Sequence, residues 1–167
     1  VADSTIGARF PNPLLEQAFG RHTMPETADA VAAELGLSRE ACDAYALQSQ
    51  QRFAAAQAAG VLAQEIVPID VPQGRKAPPL AFAVDEHPRA DTTLASLQKL
   101  KPLFAGGVTT AGNASGINDG AAALLLGSRA AGERHGQAPL ARVLSAAVVG
   151  VEPRLMGLGP VGAIEMA

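Results

Sequence analysis

Residues 107–126 read "GVTTAGNASGINDGAAALLL". Ala111, Gly112, Ala114, Ser115, Gly116 and Gly120 surround two asparagines and an aspartate, and the chain then passes directly into the apolar run 121–126. A plain turn explains one or two glycines. Four Gly/Ala positions flanking Ser115 are better explained by a large group lying against the backbone. Neither GxGxxG nor GxxxxGK[ST] occurs in the stretch, so it is neither a dinucleotide fingerprint nor a P-loop.

Working outward, residues 121–126 between Gly120 and Gly127 read as a strand buried on both faces, and 140–151 as a second. Ser128 caps a short helix ending at Gly136, and a further helix begins at Gly159. On the N-terminal side, 13–19 reads as one or two helical turns after an extended lead-in over 1–12. Thr23, Pro25 and Glu26 open a helix that Gly36 ends. Ser38 caps a longer helix to about Ala59, stopped by Gly60. Its Cys42, Tyr45, Ala46, Ser49 and Phe53 share one face, expected to be buried, opposite Glu40, Gln48 and Gln51. Residues 65–71 and 80–84 read as strands joined by a loop with Gly74, Arg75 and Lys76 at its tip. A short helix over 93–100 and a long connection over 101–115 follow. The pattern is α/β: covered parallel strands at the two ends and a mainly helical excursion with small β elements between them.

The 167 residues are 48% hydrophobic and 17% charged, with net charge −3, enough for one packed domain. That balance, with no basic run, argues against nucleic-acid binding and attraction to anionic membranes. No apolar run is long enough to cross a bilayer and no secretory signal opens the sequence, so a cytoplasmic setting is expected. The single cysteine, Cys42, cannot form an internal disulfide. Placed on an apolar helix face without a histidine nearby in sequence, it reads as a packing residue rather than a nucleophile. His22, His87 and His135 show no metal-ligand spacing and read as capping or surface residues; no metal is expected. Arg89 is either a phosphate or adenine partner or a solvated loop arginine.

The stretch "TAGNASGINDGAAALLL" resembles a signature segment of the thiolases, the acyltransferases that cleave or form β-ketoacyl-CoA. So do "DSTIGARFPNPLLEQAFG", "TMPETADAVAAELGLSREACDAYALQSQQRFAAAQAAG", "EIVPIDVP", "DEHPRADTTLASLQKLKPLF" and "GVEPRLMGLGP", which occur in the expected order along the chain. "DSTIGARFPNP" and "DEHPRADTTLASLQKLKP" look most like the members acting on β-ketoadipyl-CoA in aromatic degradation. The resemblance implies a fragment of the layered αβαβα thiolase fold. Residues 1–10 would end the N-terminal half, and 11–115 would be the coenzyme-A-binding loop domain. Residues 116–138 would carry the last strand and helix of the N-terminal half, and 139–167 would open the C-terminal half.

The resemblance also supplies a ligand, coenzyme A, as substrate. Ser115, Ala111 and Gly112 would line its pantetheine arm, and Arg89 and Ser96 would hold the adenine nucleotide end. Leu15, Met24, Phe104 and Met156 match apolar positions around the pantetheine and acyl tunnel. Thr23 stands where some members carry histidine, and "GGVTTAGN" departs from the commoner "GTVTAGN". The nucleophilic cysteine, the GHP histidine, the second cysteine and the NEAFA asparagine of the family have no counterpart here. The 167 residues are therefore expected to be an internal fragment, inactive alone, that works with the missing segments of a homo-oligomeric enzyme. The alternatives are a non-catalytic CoA-binding remnant, or a thiolase specific for acetoacetyl-CoA or fatty β-ketoacyl-CoA.

Overall fold

Helix-start chemistry fixes most of the elements. A computed structural model describes residues 11–74, 77–118 and 120–167; the lead-in over 1–10 and the tip residues Arg75 and Lys76 lie outside them. Asn12 caps α1 (Pro13–Phe19), its side chain accepting from Leu14 N–H at 3.0 Å. Ser38 caps α3 (Arg39–Ala58) by accepting from Ala41 N–H. Between them, α2 (Met24–Leu35) begins differently from a simple Thr23 cap. The Glu26 carboxylate accepts from both the N–H and the hydroxyl of Thr23, at 2.6 and 2.7 Å. Gly36, at φ +63°, reverses the chain after α2, and Leu37 N–H closes onto Ala32 carbonyl at 2.8 Å.

The chain divides into two units: the described residues up to Val31 together with Ile117–Ala167, and Ala32–Gly116. In the second unit, α3 packs against α4 (Leu94–Gln98), which opens on a complete capping box between Thr93 and Ser96. A two-stranded antiparallel hairpin, β1 (Ile69–Val71) with β2 (Leu80–Phe82), pairs Ile69 with Phe82 and Val71 with Leu80. The first strand is shorter than expected. Leu62–Gln64 takes a 3₁₀ turn, and Pro68, which has no N–H for a ladder, stands immediately before the strand. Beyond α4 the connection is pinned by a bridge between Pro102 and Thr110.

The covered side of α3 is rotated from the expected stripe. Tyr45 is 74% exposed and Ser49 is also exposed, whereas Cys42, Asp43, Ala46, Leu47, Gln50 and Phe53 are buried or half-buried. The cause is polar: Asp43 and Gln50 turn inward because the loops packed on α3 offer them donors, which outweighs burying Tyr45.

In the first unit, α5 (Arg129–Arg134) is capped by Ser128, and α6 (Gly159–Met166) follows a 3₁₀ turn over Pro153–Leu158. Gly159 and Gly162 of α6 lie against Val151 and Val149. The two expected buried strands are absent. Residues 121–126 and 140–151 form no ladder; Leu124 is 89% exposed, and Leu144 and Val148 are similarly open. Apolar composition makes a run suited to a sheet interior, but a strand also needs neighbours for its N–H and C=O groups. Among the described residues none pairs with these runs. The parallel sheet layers expected at the two ends are thus not formed within the described residues, whose one sheet is the hairpin.

Candidate functional site

The bare stretch is organised from below by Asn113. Its Oδ1 accepts from Thr110 N–H at 2.7 Å, and its Nδ2 donates to Val108 carbonyl at 2.9 Å. Thr110 is fully buried, and its hydroxyl accepts from Gly112 N–H at 3.2 Å. Asn113 Nδ2 also donates to Asp43 Oδ1 at 3.0 Å, tying the loop to α3. Asp43, 0% exposed, takes its second donor from Arg39 Nε at 2.8 Å. Arg39 continues onto α4: its Nη2 donates to the carbonyls of Leu97 at 2.7 Å and Leu100 at 3.0 Å. Helix, loop and short helix are thereby joined through one buried carboxylate. Arg39 and Asp43 stand four apart with opposite charge, a spacing that places them together on any helix.

The smallness of the stretch has two causes. A Cβ on Gly112 would lie 2.5 Å from Leu97 Cδ2 and from Leu100 Cδ1. A Cβ on Gly116 would run into the His87 imidazole. At these two positions the chain's own side chains occupy the space. Ala111 and Ser115 are different: both are exposed at the surface of the loop.

Arg89 lies on the turn beside this loop. Its backbone N–H donates to Gln50 Oε1 at 2.9 Å. Its Nη1 donates to the carbonyls of Glu86, His87 and Pro88 at 2.9, 3.0 and 3.2 Å. His87, whose ring lies over Gly116, thus connects the Arg89 turn to the bare loop. Ser96 is exposed on α4, where its hydroxyl donates to Thr93 carbonyl at 2.7 Å and accepts from Thr93 N–H at 3.0 Å. Phe104 is exposed on the connection after α4. Arg89, Ser96, Phe104, Ala111, Gly112 and Ser115 all belong to the second unit.

Leu15, Met24 and Met156 belong to the first. Met24 and Met156 come together there: with Thr27, Ala28, Val31 and Gly157 they line a hollow of about 280 Å³. Thr27 keeps it apolar by donating its hydroxyl to Met24 carbonyl at 2.7 Å. Leu15 is exposed on α1, outside that lining. Cys42 is half-buried on α3. Among the described residues no cluster of histidine, cysteine and carboxylate side chains could hold a metal ion, and no helix is long and apolar enough to cross a membrane. The residues that sequence reasoning missed are Arg39, Asp43 and Asn113; the four-residue spacing of the first two was the available signal.

The thiolase N-terminal domain family matches residues 7–130. A beta-ketoadipyl-CoA thiolase of Pseudomonas aeruginosa is 54% identical over 99% of this chain and 41% of its own length. An acetyl-CoA acetyltransferase of Chromobacterium violaceum is 51% identical over 93% of this chain and 40% of its own. Human mitochondrial 3-ketoacyl-CoA thiolase, solved in complex with CoA, superposes with a TM-score of 0.79 at 47% identity, over 87% of this chain and 35% of that one. The chain spans about two fifths of the length of the curated relatives it matches. With its fold and its sequence matched across nearly all of its residues, the chain belongs to the thiolase family.

Proposed function

We propose that this chain is the coenzyme-A-binding segment of a thiolase that cleaves β-ketoadipyl-CoA with CoA to succinyl-CoA and acetyl-CoA. The observation that carries this reading is the 54% identity, across 99% of the chain, to a protein named for that substrate. Ala111 and Ser115 support it physically. They are exposed and carry no long side chain, on a loop that part-buried hydrogen bonds tie together and to α3. The pantetheine arm, thin and flexible, fits such a surface.

CoA, when bound, supplies the thiol that accepts the acyl group. The residues here bind and orient it. Ala111 and Ser115 face the arm, and Gly112 presents backbone there while its missing side chain makes room for Leu97 and Leu100. Arg89, whose Nη1 is committed to the 86–88 carbonyls, and Ser96 hold the nucleotide end in this reading. Leu15, Met24, Phe104 and Met156 are the apolar residues this reading assigns to the pantetheine and acyl tunnel; of these, Met24 and Met156 share the apolar hollow of the first unit. Residues 11–115 act as the loop domain between two thiolase halves. The exposed apolar runs 121–126 and 140–151 pair with strands from the rest of the protein. The catalytic cysteines and histidine come from that remainder, so this segment alone does not turn over substrate.

The test is turnover by the full-length protein of β-ketoadipyl-CoA and acetoacetyl-CoA. A kcat/KM at least tenfold higher for β-ketoadipyl-CoA is expected. Preference for acetoacetyl-CoA would assign the protein to the acetyltransferase branch, and no turnover of either would leave a CoA-binding remnant.

A further inference from the structure

Asp43 is a fully buried carboxylate that takes donors from two different elements, Arg39 of α3 and Asn113 of the bare loop. Both partners reach further. Arg39 grips the carbonyls of Leu97 and Leu100. The same two leucines fill the space that a Gly112 side chain would need. Asn113 closes its own loop through Thr110 and Val108. The loop surface carrying Ala111 and Ser115 is therefore held from beneath by charge-assisted hydrogen bonds, and from the side by leucines whose carbonyls belong to the same network.

The geometry points to Asn113, Asp43 and Arg39 as positioning residues for CoA: they fix the 110–116 loop in its binding conformation before the ligand arrives. This rests on the reading of that loop as the CoA wall. A loop already ordered costs the ligand no ordering entropy, so the network acts on affinity for CoA rather than on the acyl-transfer step. Loss of Asn113 leaves the Thr110 N–H without its acceptor and removes one donor from a buried carboxylate. The loop then samples other conformations, and CoA must select the competent one.

The experiment is steady-state kinetics of the full-length protein in the thiolysis direction. Asn113→Ala and Asp43→Asn are each expected to raise KM for CoA about tenfold, or about 1.4 kcal/mol, with kcat within about twofold of wild type. The double variant is expected to raise it no further than the worse single variant, because the two residues act as one unit. Arg39→Lys keeps the charge beside Asp43 but loses the forked grip on both carbonyls; about a threefold rise is expected. An unchanged KM for CoA in Asn113→Ala, a fall in kcat with KM unchanged, or multiplying effects in the double variant would overturn the proposal. Should the substitutions at Asn113 and Asp43 prevent folding, Arg39→Lys decides, and an unchanged KM there overturns it. Ser115→Leu, run alongside, separates the two readings. If it raises KM while Asn113→Ala does not, positioning fails alone; if Ser115→Leu has no effect, the CoA wall itself is misplaced.

Discussion

Gly112→Ala distinguishes the two reasons for a bare loop. The added methyl would sit 2.5 Å from Leu97 Cδ2 and from Leu100 Cδ1. Carbon atoms in contact settle at about 3.5–4.0 Å, so each leucine must withdraw by about 1 Å. Leu100, 36% exposed, has solvent to move into; Leu97, 3% exposed, has not. Overpacking of this kind costs about 1–3 kcal/mol. Against it, Gly112 lies outside the left-handed region, so alanine restricts the unfolded chain and returns about 0.4–1 kcal/mol. The net expectation is a loss centred on about 1.3 kcal/mol and no larger than about 2.6 kcal/mol, read by thermal or urea unfolding of the full-length protein. In a Leu97→Ala background the clash with that residue is gone, and the same substitution should cost at least about 1 kcal/mol less. A Gly112→Ala protein as stable as wild type or more so, with no coupling to Leu97, would refute the packing account and leave the ligand as the sole reason for the glycine.

Two further predictions concern charged groups. Arg89→Ala should raise KM for CoA several-fold more than KM for a pantetheine thioester lacking the nucleotide; equal losses would mean that Arg89 only holds the Glu86–Pro88 carbonyls. Glu26 is held below its ordinary carboxylate range, first by the Thr23 N–H and then by the Thr23 hydroxyl. A lowered folded-state pKa stabilises above the unfolded value of 4.5 and is lost as pH falls through the folded one. Wild type should therefore exceed Glu26→Gln in thermal midpoint at neutral pH, with the gap closing below pH 4.5. A gap that widens on acidification would contradict the assigned hydrogen bonds.

Helix positions were legible because their determinants are local. Asn12, Ser38, Thr93 and Ser128 each satisfy an N–H within three residues, and Gly36, Gly60 and Gly136 reverse the chain at helix ends. Strands were not legible in the same way. Residues 121–126 have the composition of a sheet interior, but pairing depends on partners that no local pattern supplies. The orientation of α3 failed for a related reason. Hydrophobic periodicity counted Tyr45 inward, while the deciding interaction, Asp43 with Asn113, joins residues 70 apart. Around the candidate site, the bare loop was visible as composition, but the division of labour within it was not. That Gly112 and Gly116 make room for Leu97, Leu100 and His87, leaving Ala111 and Ser115 outward, is decided by tertiary packing.

The network beneath the loop also imposes an order of events during folding. The Thr93–Ser96 box and the Asn113 turn span three to five residues, so they form on the timescale of local chain motion. The bonds from Arg39 and Asp43 span 58 to 70 residues, and closing such a loop carries an entropy cost that rises with the logarithm of its length. The small helix and the loop therefore take shape first and dock last. Until then Asp43 is still hydrated. Its transfer out of water and the seating of the Leu97 side chain belong to the same late step, which makes that step cooperative.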